Sequence, residues 1–410
     1  MRGQDNLTIV GRRRVAVFVV SLQTCPKRND CQVTHHRHHV FSRDGPMRIA
    51  QVAPLYEPVP PRGYGGTERV VSWLTEELVR EGHEVTLFAS GDSLTRARLV
   101  PVCPVSLRTN PTCHDTLAYH VLLLEQVRQR RDEFDIVHYH IDYLHFPLSR
   151  QIDLPQVTTL HGRLDLPDLM PLYREFADMP VVSISHSQRD PLPQANWVGN
   201  VYHGLPEESL CFHEGPGEYL AFIGRISPEK RPDRAIEIAT RAGVRLKIAA
   251  KVDVADRGYF ERIVCPLLKR SNIEFIGEIG DEAKSEFLGN AIASIAPIDW
   301  PEPFGLNMIE AMACGTPTIA FAHGSVPEII EDGVSGIIVH TVDEAVKAVR
   351  EAAAMSRRAV RSAFKSRFTA SRMVTDYLAI YEKLVCGESP CRMSGFAEDE
   401  VQNSLNKDAA

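Results

Sequence analysis

Residues 300–318 read WPEPFGLNMIEAMACGTPT and lie between two short apolar segments. Ala293–Ala296 precedes the block and Thr318–Ala320 ends it, and both have the length and composition of a buried strand. Between them, Leu306–Ala313 has the apolar spacing of a helix. A strand, a helix and a second strand in this order predict a unit of a parallel sheet covered by helices.

The same alternation extends outward along both halves of the chain. In the second half, strands are predicted at Tyr219–Ile223, Arg245–Ala250, Ile273–Ile276, Ala293–Ala296, Thr318–Ala320 and Gly336–Val339, with helices at Pro232–Ala242, Asp281–Asn290 and Leu306–Ala313. In the first half, strands are predicted at Ile49–Ala53, Glu84–Ser90, Ile136–His140, Gln156–Leu160 and Val181–Ser185, with helices at Thr67–Arg80 and Leu117–Arg131. The fold class is therefore α/β, with two Rossmann-like doubly wound domains facing across a cleft.

The domain boundaries follow from composition. Residues 47–205 form the first predicted domain, and a Gly/Pro-rich stretch from His203 to Gly217 links it to a second domain at 206–369. A helix at 370–386 is expected to pack back on the first domain, and 387–410 to be a disordered tail. Residues 1–46 contain 8 basic and 3 acidic side chains and are interpreted as a disordered extension or a misplaced start, with Met47 as the functional start.

Composition excludes several classes of protein. The 410 residues carry 46 basic and 53 acidic side chains, a net charge of −7, and are 44% hydrophobic, so the chain is neither disordered nor a fibre. A mildly acidic chain does not favour a nucleic-acid binder. No apolar run reaches the roughly 18 residues of a membrane span. Nine scattered cysteines without a CxxC pair indicate reduced thiols and a cytoplasmic protein, and a zinc site from Cys25, Cys31 and the nearby histidines fits no trusted spacing.

The block at 300–318 also predicts a binding site. The helix begins near Gly305, so the amides of Gly305, Leu306 and Asn307 have no partner within it and form an anion site. Two glutamates flank that site, Glu302 in the loop and Glu310 in the helix. Carboxylates there would accept hydrogen bonds from the hydroxyls of a sugar.

Upstream, residues 224–232 read GRISPEKRP. Together with the Glu-x7-Glu block, this stretch resembles the retaining nucleotide-sugar glycosyltransferases of family 4, which have the two-domain GT-B fold, and the similarity spans about residues 47 to 385. The resemblance implies transfer of a sugar with retention of anomeric configuration and without a metal. It also implies no cofactor beyond the donor, a nucleoside diphosphate sugar with UDP favoured.

The resemblance assigns roles residue by residue. Arg225 and Lys230 would bind the donor diphosphate, which agrees with their position at the carboxyl end of a strand. Glu310 would bind the ribose hydroxyls and Glu302 those of the transferred sugar. His161, at the end of a first-domain strand, would contact that sugar. His161, Glu302, Arg225 and Lys230 are therefore the candidate catalytic residues.

Two more segments are assigned to the donor site. The loop YGGTER at 64–69 follows the first strand, and the resemblance places Gly65 and Gly66 between donor and acceptor, with Thr67 as the expected helix cap. Many family members have a glycine-rich turn after the second strand of the second domain, whereas this chain has Ala-Ala-Lys-Val-Asp at 249–253. We expect Lys251 to add a cation near the donor.

Other polar residues are predicted to be structural. His138, His140 and Asp142 could suggest a metal site, but as alternating strand residues they are expected to point to opposite faces. Ser325–Glu328 has the pattern of a capping box that starts a helix.

Two other classes of function remain open. A non-catalytic nucleotide-sugar-binding subunit would keep the site but lack turnover, and a nicotinamide-dependent oxidoreductase would need the G-x-G-x-x-G fingerprint that the chain lacks. The acceptor is undetermined among glycans, lipids and small molecules. Peripheral contact with the inner membrane face is also left open, although no compact basic amphipathic helix requires it.

Overall fold

The structure is a computed structural model and describes residues 45–387. The predicted extension at 1–46 and tail at 387–410 fall almost entirely outside these residues. None of the helices within 45–387 is both long and apolar enough to cross a bilayer.

The first half of the described chain forms a seven-stranded parallel sheet. Its strands are β1 (Arg48–Val52), β2 (Glu84–Ser90), β3 (Arg98–Cys103), β4 (Ile136–Tyr139), β5 (Gln156–Thr159), β6 (Pro180–Ser183) and β7 (Asn196–Asn200), in the order β3-β2-β1-β4-β5-β6-β7. Its helices are α1 (Gly66–Arg80), α2 (Thr116–Gln129), α3 (Phe146–Ser149) and α4 (Leu169–Glu175). Central strands such as β4 are buried along their whole length, as expected for a parallel sheet covered on both faces.

The second half forms a six-stranded parallel sheet with the same winding. Its strands are β8 (Tyr219–Arg225), β9 (Leu246–Lys251), β10 (Ile273–Gly277), β11 (Ala291–Ala296), β12 (Thr318–Phe321) and β13 (Gly336–Val339), in the order β10-β9-β8-β11-β12-β13. The helices are α5 (Pro232–Ala242), α6 (Arg257–Tyr259), α7 (Cys265–Leu267), α8 (Asp281–Gly289), α9 (Leu306–Ala313), α10 (Val326–Ile329), α11 (Val342–Ala354), α12 (Arg357–Arg367) and α13 (Ala370–Val385). Both sheets reverse their strand order beside the first strand, which is where such sheets bind ligands.

Strands β3 and β7 are absent from the sequence prediction, and both are edge strands. β3 contains Pro101, a residue that sheets tolerate mainly at an edge, and β7 is only partly buried. An edge strand needs no continuous apolar run, so its sequence gives a weak signal.

Two segments of the chain cross between the halves and are bonded to each other. The Leu205 amide donates to the Phe368 carbonyl at 3.0 Å, and the Ala370 amide donates to the Leu205 carbonyl at 2.9 Å. Gly204 fits closely there, because a Cβ atom at this position would lie 2.2 Å from the Thr369 oxygen. The two crossings therefore form one short parallel bridge.

After the second crossing, α13 lies against the first half of the chain. Its Tyr377 hydroxyl is 2.8 Å from the Thr159 Oγ1 of β5. The Tyr381 hydroxyl is 2.7 Å from Nδ1 of His138 and accepts from Nε2 of Gln51 at 3.2 Å. The last helix thus supplies buried polar groups to the first sheet.

Candidate active site

A cavity of 760 Å³ lies between the carboxyl ends of the two sheets. Every residue that the sequence assigned to the site lines it: Gly65, Gly66, His161, Arg225, Lys230, Lys251, Glu302, Gly305, Leu306, Asn307 and Glu310. The fold therefore brings together residues from five separate segments of the sequence.

Lys230 is one cation of the second-half wall, and it forms an ion pair with Glu302. The Glu302 carboxylate also accepts from the Trp300 indole at 2.9 Å, and the Lys230 ammonium lies 5.3 Å from the centre of that indole ring. Glu302 is only 8% exposed. Its charge is therefore balanced locally by a cation that can turn toward the cavity.

Arg225, at the end of β8, is the second cation of this wall. It forms an ion pair with Glu229, and its Nε lies 3.6 Å from the Asp256 carboxylate. The Arg225 side chain is about one third exposed and lines the cavity. A planar fork in this position suits two oxygens of a phosphate group.

The N-terminus of α9 provides amide donors to the same wall. Gly305 precedes the helix with φ 85°, a left-handed conformation that L side chains rarely adopt. The Met308 amide bonds to the Gly305 carbonyl at 3.0 Å, so the helical ladder begins there and the three amides before it lie outside the ladder. These amides and the helix dipole favour an anion.

Lys284 in α8 is a site residue that the sequence reasoning missed. Its ammonium lies 2.6 Å from Glu310 and 3.1 Å from Asp281, and Asp281 pairs with Arg69 of the first half. This chain of charges crosses from one domain to the other beside the cavity. The location of α8 after the carboxyl end of β10 was a usable signal, because ligands bind at such ends.

The glycine loop contributes backbone rather than side chains. A Cβ atom on Gly65 would lie 2.7 Å from Cβ of Pro61, so the loop is closely packed. The Tyr64 amide donates to Oε1 of Glu278 at 2.7 Å, which joins the loop to the opposite wall. The expectation that Thr67 caps α1 is wrong, since Gly65 occupies the cap position and no side chain bonds there.

Lys251 reaches the cavity from the end of β9. Its ammonium is 3.1 Å from the Asp253 carboxylate and 5.8 Å from the centre of the Tyr64 ring. Lys251 therefore adds positive charge to the lining of the cavity, and its role toward a donor stays a prediction.

The first-half wall contains a cluster of buried histidines. His138 and His140 lie on the same face with ring centres 4.0 Å apart, so the expectation that they point to opposite faces is wrong. Residues two apart in a strand share a face, and that rule was available from the sequence. His140 Nδ1 lies 2.9 Å from His161 Nε2, and the His161 ring stacks on His203.

Burial keeps these rings neutral. Desolvation lowers the pKa of His161 to about 3, and it lowers the pKa of His138, His140 and His203 well below the usual value, with further lowering from neighbouring imidazoles. Neither His203 nor its stacking was foreseen, because His203 belongs to the segment predicted as a linker.

Glu328 has a different role from the predicted capping box. Its carboxylate accepts from the backbone amides of His186 and Ser187 in the first half, both at 2.7 Å, and from the Tyr202 hydroxyl at 3.0 Å. Ser325 makes no side-chain cap and instead donates to the Phe304 carbonyl at 2.8 Å. The pair therefore joins the domains and holds the loop that precedes α9.

Within residues 45–387, no three His, Cys, Asp or Glu side chains are arranged to hold a metal ion. Metal-independent chemistry stays a prediction to be tested in solution.

The fold and the cavity define a class of protein: two Rossmann-like domains whose cleft has cations and helix amides suited to an anion on one side and a cluster of neutral, hydrogen-bonded histidines on the other. Comparisons with known proteins narrow this class. Residues 212–366 match the family model of group 1 glycosyl transferases, and residues 64–202 match that of glycosyltransferase family 4.

Relatives and solved structures agree with these matches. The D-inositol 3-phosphate glycosyltransferase of Mycolicibacterium paratuberculosis is 26% identical, with 88% of this chain and 95% of that protein covered. A crystal structure of a glycosyltransferase involved in avilamycin A biosynthesis superposes with TM-score 0.65 at 24% identity, covering 83% of this chain and 99% of that one. An Anabaena protein in complex with UDP and glucose superposes with TM-score 0.64 at 15% identity, covering 82% and 100%.

The chain belongs to the family 4 type of glycosyltransferases, and its fold is GT-B. The family and fold predicted from the Glu-x7-Glu block are thereby confirmed.

Proposed function

We propose that this glycosyltransferase moves a sugar from a nucleoside diphosphate sugar, with UDP as the favoured nucleotide, to an acceptor hydroxyl. Transfer retains the anomeric configuration and needs no metal. The single observation that best supports the proposal is the placement of Arg225, Lys230 and the first amides of α9 around one cavity. Three kinds of anion-binding group, a guanidinium, an ammonium and backbone amides, therefore line the same cavity.

The cationic wall would stabilise the leaving diphosphate. When the bond between the anomeric carbon and the diphosphate breaks, negative charge grows on the departing oxygen. Arg225, Lys230 and the α9 amides are fixed donors near that charge, so they bind the transition state more strongly than the ground state. The acceptor oxygen attacks from the same face, and its proton passes to the departing diphosphate oxygen.

Lys230 would change partners during binding. Its ion pair with Glu302 balances both charges within the protein. A diphosphate attracts the ammonium toward the cavity, and the freed carboxylate can accept hydrogen bonds from the hydroxyls of the transferred sugar. Glu310 has a matching arrangement with Lys284, which would hold it for the ribose hydroxyls.

UDP is favoured because this chain shares its fold with an Anabaena protein in complex with UDP and glucose, and that support rests on the fold alone. The acceptor class stays a proposal limited to a hydroxyl-bearing glycan, lipid or small molecule. The cytoplasmic location and peripheral membrane contact considered for the sequence likewise stay proposals.

The decisive experiment measures donor binding and donor turnover separately. A thermal-shift panel with UDP, GDP and ADP should show stabilisation by one nucleotide, because a ligand that binds only the folded state raises its stability. Release of nucleotide from the corresponding sugar donor, in buffer containing EDTA, then tests metal-independent chemistry. NMR of the product's anomeric proton reports retention or inversion.

Matched variants make the result specific. Lys230→Ala should abolish the nucleotide shift, whereas Lys247→Ala should not, since Lys247 lies on β9 beside Glu274 and outside the cavity. Nucleotide binding without turnover under any acceptor would favour the non-catalytic binding subunit. Binding of none of the nucleotides would contradict the donor assignment.

A further inference from the structure

The histidine cluster beside the cavity is one continuous hydrogen-bonded chain. From α13 inward, the Tyr381 hydroxyl contacts Gln51, Gln51 Oε1 contacts Nε2 of His140 at 2.8 Å, and His140 Nδ1 contacts Nε2 of His161 at 2.9 Å. Gln51 is fully buried and His140 is 2% exposed. The chain ends at His161, which lines the cavity and whose Nδ1 is a buried atom without a hydrogen-bond partner in the described residues.

The donor and acceptor atoms at Tyr381 give the direction of donation along this series of hydrogen bonds. Tyr381 has one hydroxyl proton and two neighbours, Nδ1 of His138 at 2.7 Å and Nε2 of Gln51 at 3.2 Å. The amide nitrogen of Gln51 can only donate, so the Tyr381 oxygen accepts from it and the Tyr381 proton is left for Nδ1 of His138. Gln51 must therefore donate its amide proton to Tyr381 and present its carbonyl oxygen to His140.

The same reasoning then fixes which ring nitrogen of His140 and of His161 holds the proton. The Gln51 carbonyl can only accept, so His140 must hold its proton on Nε2. His140 is buried among other imidazoles and hydrogen-bonds to no carboxylate, which keeps it neutral, so its Nδ1 is a bare acceptor. The contact between the two rings consequently requires the proton of His161 to lie on Nε2. Nothing remains on Nδ1 of His161 except a lone pair.

We infer that Gln51 and His140 are positioning residues that fix His161 as the Nε2–H tautomer, so that its Nδ1 accepts a hydrogen bond from a hydroxyl of the sugar donor. The inference rests on the proposed function for the identity of that hydroxyl. It does not rest on it for the tautomer, which is a property of the protein alone. Which nitrogen holds the proton is set by the hydrogen bond that the other nitrogen makes.

The tautomer can be measured directly. Long-range ¹H–¹⁵N correlation spectra of histidine-labelled protein distinguish protonated from bare ring nitrogens, and a His161→Gln variant assigns the signals. We expect His161 to show a protonated Nε2 and a bare Nδ1 in the protein without substrate. A protonated Nδ1 in the wild type would overturn the inference, even if the protein proved to be an active glycosyltransferase.

Variants of Gln51 test the cause. Gln51→Met keeps the size but removes the acceptor, so the His161 signals should move toward a mixture of tautomers and kcat/KM for the donor should fall about ten-fold. Gln51→Glu places a carboxylate beside His140, which favours the charged imidazole whose Nδ1–H donates to Nε2 of His161, so the proton of His161 should move to Nδ1. Unchanged His161 signals in Gln51→Met would show that the hydrogen bonds from Gln51 through His140 do not set the tautomer of His161.

Gln188 provides the matched control. This buried glutamine donates to the Leu160 carbonyl at 2.9 Å and the Gly162 carbonyl at 2.8 Å, so it holds the backbone on both sides of His161 without touching the ring. Gln188→Met should reduce stability while leaving the His161 nitrogen pattern intact. A changed pattern of His161 nitrogen signals in this variant would show that displacement of the loop, and not the hydrogen bonds from Gln51 and His140, sets the tautomer.

Discussion

The two walls of the cleft solve the problem of buried polar groups in opposite ways. The second-half wall pairs full charges, with Lys230 against Glu302 and Lys284 against Glu310. The first-half wall also has a charged part, where Arg69 pairs with Asp281. Around the histidines, however, His138, His140 and His161 are neutral and joined by hydrogen bonds. A charged wall can exchange an internal partner for an ionic ligand. A neutral wall holds a fixed pattern of donors and acceptors, which suits the recognition of hydroxyl groups.

The largest effect is expected from acid, which should destabilise the folded protein through the buried histidines. Five histidines that are deeply buried in the first half, His138, His140, His145, His161 and His203, have a pKa lowered by burial. The unfolded chain therefore binds more protons than the native protein below about pH 6.5, and stability falls as the pH decreases from there toward the lowered pKa values. Each histidine contributes a loss of about 1.4 kcal/mol per pH unit in that window.

Denaturant unfolding between pH 7.5 and 5 measures this slope. Stability should be level above pH 7 and drop by several kcal/mol by about pH 5.5. The exposed His114 serves as control, since His114→Ala should leave the slope unchanged. A flat profile down to pH 5 would show that the histidine wall is not neutral in the folded protein.

The charged wall is tested by removing its cation. Lys230→Ala should lower kcat/KM by about 10² to 10³-fold, the cost typical of losing one donor that stabilises charge in a transition state. Steady-state kinetics with the donor identified by the binding panel provide the measurement, with Lys247→Ala as the variant expected to stay near wild type. A loss of less than ten-fold would remove Lys230 from the catalytic set.

A smaller effect is expected from the residue that the sequence did not identify. Lys284→Met leaves Glu310 and Asp281 without their shared cation, so the carboxylate assigned to the ribose loses its fixed position. The donor KM should rise about five-fold with little change in kcat, because the contact serves binding in ground and transition states alike. A fall in kcat at constant KM would instead place Lys284 near the reacting atoms.

The smallest change concerns the support of the neutral wall. Tyr377→Phe removes one buried hydroxyl, while its partner Thr159 keeps the bond to His138 at 2.7 Å. The free energy of unfolding should drop by about 1 kcal/mol with turnover unchanged. Denaturant titration at pH 7.5 checks this, and a loss of activity would show that α13 influences the site more directly than the contacts indicate.

The sequence predicted the central part of the fold because buried parallel strands have continuous apolar runs. It predicted which residues line the cavity because they follow such strands at the carboxyl ends or open a helix. It missed β3 and β7, where an edge position allows Pro101 and partly buried polar residues. The expectation for His138 and His140 was wrong for a different reason, because residues two apart in a strand lie on the same face.

Long-range partners were beyond reach. Nothing near Lys284 in the sequence names Glu310 as its partner, and nothing near Glu328 indicates the amides of His186 and Ser187. Such pairs depend on how two separately folded sheets face each other. Local patterns specify each sheet, whereas the contacts between the sheets emerge only when both are in place.

The paired crossings at Leu205 and Thr369 have a mechanical consequence. Two chain segments that enter and leave a domain side by side, and are bonded to each other, act as a single pin. These bonded segments restrict sliding of one domain past the other more than a single flexible linker would. The bonded crossings therefore help to keep the same atoms of the two walls opposite each other.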